Sequence, residues 1–313
     1  MIHLTSIDKL SKIQIIEIFD LAKELKNMQK NGVEHNFLKG KTLGMIFEKS
    51  STRTRVSFEV GMFQLGGSAL FLNSSDIQLG RGETIEDTAR VLSRYLDGIM
   101  IRTFSHDKVL ALAKSSSIPV INGLSDLYHP CQALADIFTL LETGRELLNL
   151  KIAYIGDGNN VAHSLLQICA ILGIDISIAT PEKFKCNDAI VEQAIALTRS
   201  SGSRIIITHN PEEAVEDADA VYTDTWVSMG TENEKAKRIA EFKGFSVTKE
   251  LMALARQNAV FMHCLPAYRG HEVSSEVIDS ARSIVLDQAE NRLHVQKAIL
   301  TLLISKGTQY SWT

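Results

Sequence analysis

Lys41-Thr-Leu-Gly-Met-Ile-Phe47, then Ser51-Thr52-Arg53-Thr54-Arg55, then Val56-Ser-Phe-Glu-Val-Gly-Met-Phe-Gln-Leu65: the reading of this stretch decides the fold. The first run is short, apolar and β-compatible, so it reads as a buried strand. The last places apolar residues at 56, 58, 60, 62, 63 and 65, and it stops at Gly66-Gly67, a pair that ends a helix. Between them lies a strand-to-helix junction, where free backbone N–H groups and the helix dipole attract an anion. Ser51 or Thr52 can serve as N-cap, which accounts for one hydroxyl. Capping does not account for two arginines beside three hydroxyls, because cations at a helix N-terminus oppose the dipole. A phosphate would remove that conflict, and the junction is read as a phosphate cradle.

Working outward, apolar spacing predicts an amphipathic helix over residues 7–29. Strands are expected at 42–47, 68–73, 98–102 and 119–122. Helices should fill the intervals after Thr52, from Glu83 to about Leu96, near 105–115, and from Gln132 to about Leu148. The alternation restarts at Lys151-Ile-Ala-Tyr-Ile-Gly-Asp-Gly158. It continues with strands at 175–180, 204–208, 220–224, 259–265 and 283–287, and helices at 160–172, 187–200, 248–257 and 289–305. Alternation of this kind implies an α/β fold of two domains joined near 148, each a parallel sheet with helices on both faces.

A chain of 313 residues is long enough for two cores of ordinary size. The balance of 33 basic against 37 acidic residues does not point to nucleic acid, although a local basic cleft is compatible with it. Cys131, Cys169, Cys186 and Cys264 form no CxxC pair or regular framework, which suits reduced thiols. The N-terminus lacks a basic-then-apolar signal pattern, and no apolar run approaches membrane-spanning length. A soluble, cytoplasmic protein with no membrane partner is expected.

Several polar clusters follow strands: 51–55, Arg102, 156–160, 224–230 and 263–269. In open α/β sheets that edge is where ligands bind. Gly156-Asp-Gly-Asn-Asn160 invites a dinucleotide reading, but the fingerprint needs a third glycine where Val161 stands. His129-Pro-Cys-Gln132 puts an imidazole and an amide at a helix entry. His129 is either an ordinary satisfied histidine or a donor aimed at a carbonyl, with Pro130 suited to the first helical position. In Asp224-Thr-Trp-Val-Ser-Met-Gly230, Trp226 and Met229 read as loop packing, while Asp224 and Ser228 would suit a cationic amine. Cys264, in His263-Cys-Leu-Pro266, reads as a substrate-contacting thiol or a small buried residue rather than a nucleophile. The nine histidines include neither HExxH nor a close His/Cys set, so no metal site is expected.

Together these motifs, with Asp287-Gln-Ala-Glu-Asn-Arg292, resemble the aspartate/ornithine carbamoyltransferase family over nearly the whole chain. The Ser-Met-Gly loop and the Cys of His-Cys-Leu-Pro are similar to the ornithine branch. The resemblance implies a carbamoyl-phosphate domain at 1–147, with residues 289–313 packing back on it, an ornithine domain at 148–288, and an active site in the cleft between them. It implies that Ser51, Thr52, Arg53 and Thr54 hold the phosphate, with Arg102 and His129 polarising the carbamoyl oxygen. Gln132 and the Leu265 carbonyl region would hold the carbamoyl NH2, with Pro130 and Cys131 also among the carbamoyl-phosphate-binding positions. Asn160, Asp224, Ser228 and Met229 correspond to ornithine positions, and Cys264 and Arg292 border the reacting centre. Gln78, in the polar Ser74–Gly82 loop, would reach a neighbour's site in a homotrimer. The Leu265–Pro266 bond would be cis. Transfer to the δ-amine of L-ornithine would give citrulline in arginine metabolism, with no metal or organic cofactor. Competing readings are a carbamoyltransferase for another amine such as putrescine, a non-catalytic carbamoyl-phosphate-binding regulator, and a nicotinamide-dependent oxidoreductase.

Overall fold

A computed structural model describes residues 2–75, 77–78, 82–227, 232–305 and 310–312. The chain forms two compact units, Met1–Ala135 with Asn291–Thr313, and Asp136–Glu290. In chain order the first unit begins with α1 (Lys12–Lys30), β1 (Thr42–Phe47), α2 (Thr52–Gln64), β2 (Ser68–Asn73) and α3 (Ile85–Leu92). It continues with β3 (Gly98–Arg102), α4 (His106–Ser115), β4 (Val120–Leu124) and the start of α5 (Pro130–Glu142). Its sheet has the order β2-β1-β3-β4 with every pairing parallel.

The second unit contains β5 (Lys151–Ile155), α6 (Asn160–Leu172), β6 (Asp175–Ala179), α7 (Asp188–Ser201) and β7 (Ile205–Thr208). After these come α8 (Pro211–Val215), β8 (Ala220–Thr223), α9 (Lys235–Glu241), α10 (Lys249–Leu254), β9 (Val260–His263) and α11 (Ser275–Ile278). The last helix, α12 (Val285–Ile304), carries the chain back into the first unit at Asn291. The second sheet is also parallel, in the order β7-β6-β5-β8-β9.

Central strands are apolar along their length because both faces are covered. All five residues of β3 are buried, as are the last five of β1. On one side of the first sheet, Ile46, Ile99, Ile101 and Val120 pack with Ala89, Val109 and Leu112 from α3 and α4. Among the described residues, no helix is long and apolar enough to cross a membrane.

Two sequence expectations require correction. The helix expected over 7–29 is a 3-10 turn at Ile7–Lys9 followed by α1. Ser11 interrupts it by forming a capping box: its Oγ accepts the Gln14 N–H at 3.2 Å, and Gln14 Oε1 accepts the Ser11 N–H at 2.9 Å. A cap of that kind is worth about 1 kcal/mol, enough to set the helix start. The strand expected at 283–287 is reduced to one bridge, Phe261 with Ser283, before α12 begins at Val285. A short apolar run reads equally as a strand or a buried helix start, and here the long helix claims it.

Candidate functional site

In the first unit the strand order reverses between β1 and β3, and loops at such a reversal diverge to leave a ligand-sized crevice. The register makes Phe47 and Arg102 the last rung, which delivers Arg102 to the turn holding Ser51–Thr54. Ser51 is the N-cap of α2, accepting the Thr54 N–H at 3.2 Å and donating its own proton to Thr54 Oγ1 at 3.1 Å. Arg102 Nη1 and Arg292 Nη2 both donate to that same Thr54 oxygen, each at 3.4 Å. Arg292 Nη1 also donates to Gln132 Oε1 at 2.6 Å. With its amide turned to satisfy both ends, Gln296 accepts from Arg292 Nη2 and Nε at 2.9 and 3.2 Å.

Donors crowd around one oxygen. A hydroxyl oxygen has two acceptor sites, yet three donors converge on Thr54 Oγ1. At 3.4 Å the two guanidinium contacts are long for charge-assisted hydrogen bonds. Arg102 and Arg292 are nevertheless buried, 8% and 3% exposed. His129 ends the β4 loop with its carbonyl accepting the N–H groups of Gln132 and Ala133 at 3.1 and 3.2 Å. Burial, together with the charges of Arg292, Arg102, Lys49 and Arg53, holds its imidazole well below the ordinary histidine range. His129 is therefore neutral near pH 7, a donor that adds no charge to an already cationic pocket.

Other expected residues fall as follows. Thr52 is exposed and Arg53 half-buried at the first turn of α2. Arg55 turns away, pairing with Glu59 at 2.9 Å and lying 3.9 Å over the Phe71 ring, so these contacts account for its place at the junction. Pro130 is the first residue of α5. The Cys131 thiol lies against the Asn122 carbonyl at 3.6 Å and is pushed up to about 12 by burial, so it serves the core rather than nucleophilic chemistry. Gln78 is exposed, and its carbonyl accepts the Glu83 N–H at 3.1 Å. Within that loop, Asp76 and residues 79–81 lie outside the described residues.

In the second unit the reversal falls between β5 and β8, with Ile155 and Thr223 as the last rung. The turn after β5 and the segment after β8 therefore emerge side by side. Asn159 caps α6 with Oδ1, which accepts the N–H groups of Val161 and Ala162 at 2.9 and 3.2 Å. Its Nδ2 donates to Asp224 Oδ2 at 2.8 Å. The other carboxylate oxygen accepts the Thr225 N–H at 2.7 Å and the Cys264 thiol at 2.9 Å. Asn160 is half-buried at the head of α6. Ser228 and Met229 lie outside the described residues. Trp226 packs as expected, stacked on Phe242 at 5.3 Å.

Leu265 has φ +56°, its bond to Pro266 is cis, and its N–H donates to His263 Nδ1 at 2.8 Å. That bond fixes the tautomer, leaving Nε2–H to face Glu272 at 3.3 Å. Asp224, His263 and Cys264 bring possible ligand atoms within 4.8 Å of one another, but both His263 nitrogens are already engaged. The dinucleotide reading fares no better. The first free N–H groups of α6 go to Asn159, and a side chain on Gly158 would collide with the Cys186 backbone.

Sequence reasoning missed the second bond of Asn159, the convergence on Thr54, and Gln296. It also missed Arg238, which reaches Asp157 from a helix that was not anticipated. An Asn before a helix signals a cap but does not signal what its amide nitrogen will meet.

Two family models match the chain. The model for the aspartate/ornithine carbamoyltransferase carbamoyl-P binding domain covers residues 2–142, and that for the Asp/Orn binding domain covers residues 148–303. The chain is 57% identical over 303 residues to the ornithine carbamoyltransferase of Caldicellulosiruptor saccharolyticus, covering 97% of this chain and 98% of that protein. Against the ornithine carbamoyltransferase of Bacillus subtilis it is 54% identical over 304 residues, covering 97% and 94%. Among solved structures, the ornithine carbamoyltransferase from Pyrococcus furiosus superposes with a TM-score of 0.94 at 51% identity, covering 98% of each chain. The anabolic ornithine carbamoyltransferase from Campylobacter jejuni superposes with a TM-score of 0.91 at 45% identity, covering 97% and 99%.

Proposed function

The chain belongs to the aspartate/ornithine carbamoyltransferase family, and from that premise we propose that it transfers the carbamoyl group of carbamoyl phosphate to the δ-amine of L-ornithine. The products are L-citrulline and phosphate, a step of arginine metabolism. The observation that carries the donor half is the crowding of Ser51, Arg102 and Arg292 around one threonine oxygen. Two buried guanidinium groups and a helix N-cap gathered at one point suit a phosphate and a carbamoyl oxygen.

In this reading Ser51, Thr52, Arg53 and Thr54 hold the phosphate, with Gln78 added from a neighbouring chain. Arg102 and neutral His129 donate to the carbamoyl oxygen, and Gln132, oriented by Arg292, faces the carbamoyl NH2 with the Leu265 carbonyl. Pro130 and Cys131 shape the backbone at that point. Asn160, Asp224, Ser228 and Met229 bind ornithine, while Cys264 lies beside the reacting amine. The neutral δ-amine attacks the carbamoyl carbon, the C–N bond forms, and charge grows on the carbonyl oxygen. The C–O bond to phosphate then breaks, phosphate leaves with the electron pair, and the extra proton of the amine passes to the departing phosphate. Donors fixed in place before the charge develops stabilise that transition state. Holding both reactants lowers the entropic barrier.

Residues 1–147 with 289–313 form the proposed carbamoyl-phosphate domain and 148–288 the ornithine domain, in keeping with the spans of the two family models. A cytoplasmic location is proposed on the four free thiols. The purified chain should form citrulline from carbamoyl phosphate and ornithine, much faster than it carbamoylates putrescine or aspartate. Equal or faster turnover of putrescine, or no turnover of ornithine, overturns the assignment.

A homotrimer is proposed as well. Its support is the exposed apolar set Val56, Phe63, Leu70, Phe71 and Tyr95 in the first unit, where β2 is an unpaired sheet edge. In a cyclic trimer each interface is equivalent, so one chain's Gln78 would complete the next chain's site. Gln78→Ala and Arg102→Ala chains, each nearly inactive, should regain activity when unfolded and refolded together, because some sites then carry both lesions and others neither. Mixed trimers verified by tag exchange but still inactive would sink the shared site.

A further inference from the structure

Arg238 lies outside the residues assigned above, yet it ties three pieces of the second unit together. Its Nη1 donates to Asp157 Oδ2 at 2.7 Å and to the Trp226 carbonyl at 2.9 Å. Its guanidinium sits 4.7 Å over the Phe184 ring. Nε reaches back one turn to exposed Glu234 at 3.3 Å. The side chains of Arg238 and Asp157 are only 11% and 13% exposed, so this pair is neither screened nor loose in the manner of a surface ion pair. Beside it is a packed aromatic cluster: Trp226 stacks on Phe242 at 5.3 Å, and Phe242 meets Phe184 at 4.9 Å. The Tyr154 hydroxyl pins the Asp157 carbonyl at 2.9 Å.

The chain positions give the clamp its meaning. Asp157 stands two residues before Asn159, and Trp226 two residues after Asp224. The Arg238 bridge therefore joins the same two segments that the bond from Asn159 Nδ2 to Asp224 Oδ2 joins. We infer that Arg238 is a positioning residue for the amino-acid substrate: by joining Asp157 to the Trp226 carbonyl, it sets the placement of Asn159 and Asn160 against Asp224. The inference rests on the ornithine reading of this unit. Recognition groups need placement to about 0.5 Å, and a single bond between two side chains does not supply that. A planar guanidinium suits two acceptors and an aromatic face at once, whereas an ammonium keeps only the charge.

The test compares Arg238→Gln, Arg238→Lys, Asp157→Asn and the double variant Asp157→Asn/Arg238→Gln with the parent enzyme. Readouts are KM for ornithine, KM for carbamoyl phosphate, kcat, the dissociation constant of L-norvaline (ornithine without its δ-amine), and Tm. Arg238→Gln should raise the ornithine KM and the norvaline constant by about tenfold, leaving the carbamoyl-phosphate KM within about twofold. Arg238→Lys should fall between Gln and the parent. Asp157→Asn should match Arg238→Gln, and the double variant should be no worse than either, as for two ends of one contact. An ornithine KM within about twofold of the parent, a parallel rise in both KM values, or additive losses each overturn the inference. If Arg238→Gln does not fold, Arg238→Lys and Asp157→Asn are judged by the same criteria. Failure of the ornithine reading itself would be visible separately, as a parent enzyme that makes no citrulline.

Discussion

Arg102→Ala should lower kcat for citrulline formation by about a hundred- to a thousandfold, the usual loss when one preorganised donor to a developing oxyanion is removed. The size follows from where the guanidinium sits. Arg102 is the last residue of β3, held in register beside Phe47, and it is buried next to Thr54 and a neutral His129. A cation in a water-poor pocket interacts with growing negative charge far more strongly than one in solvent. Carbamoyl-phosphate affinity should fall less than kcat, because the carbonyl oxygen carries less charge before attack than during it. Arg102→Lys keeps the charge but loses the planar fork, and should recover part of kcat. Steady-state kinetics with both substrates checks this. A kcat within about tenfold of the parent would move Arg102 from the chemistry to simple phosphate binding.

The fold was legible where its strands are buried on both faces, as β1 and β3 are. A run such as Met45-Ile-Phe47 or Ile99-Met-Ile101 has no polar face to confuse the period, and it ends at a junction rich in Ser, Thr or Gly. The short elements were illegible for the opposite reason. Helix α9, Lys-Ala-Lys-Arg-Ile-Ala-Glu, has no buried residue and so no apolar period to read, and its bond from Arg238 to Asp157 spans 81 positions. The apolar start of α12 was misread because Ser-Ile-Val-Leu looks the same at the head of a buried helix as in a strand.

The candidate site could be proposed from sequence where its residues are contiguous, but not where they are joined by folding. Ser51–Thr54 and the His129–Gln132 helix entry can be read as local chemistry. The bonds that organise them cannot: Arg102 meets Thr54 across 48 positions, Arg292 meets it across 238, and Asn159 meets Asp224 across 65. Strand order decides which of those distant residues become neighbours. In both units the sheet reverses at the strand pair that carries the key loops, β1 with β3 and β5 with β8. Sequence patterning identifies the strands but not their lateral order.

Asp224→Asn should raise the ornithine KM by about thirtyfold or more, since removing one partner of a desolvated charge pair costs roughly 2–5 kcal/mol at about 1.4 kcal/mol per decade. The motivation is the way the carboxylate is held. Asp224 is buried, and it accepts from Asn159 Nδ2, the Thr225 N–H and the Cys264 thiol at 2.8, 2.7 and 2.9 Å. Three donors on two oxygens fix the direction of the carboxylate, and in the proposed reading an ammonium of ornithine is its counter-charge. The Asn variant keeps the shape and one acceptor, but its amide nitrogen opposes a donor and its charge is gone, so the loss exceeds that of a hydrogen bond alone. Carbamoyl phosphate, held by residues of the first unit in this reading, should bind as in the parent. Isothermal titration of the two ligands separates the outcomes. Normal ornithine binding by Asp224→Asn returns Asp224 to a structural role, whereas equal weakening of both ligands points to a general collapse of the site.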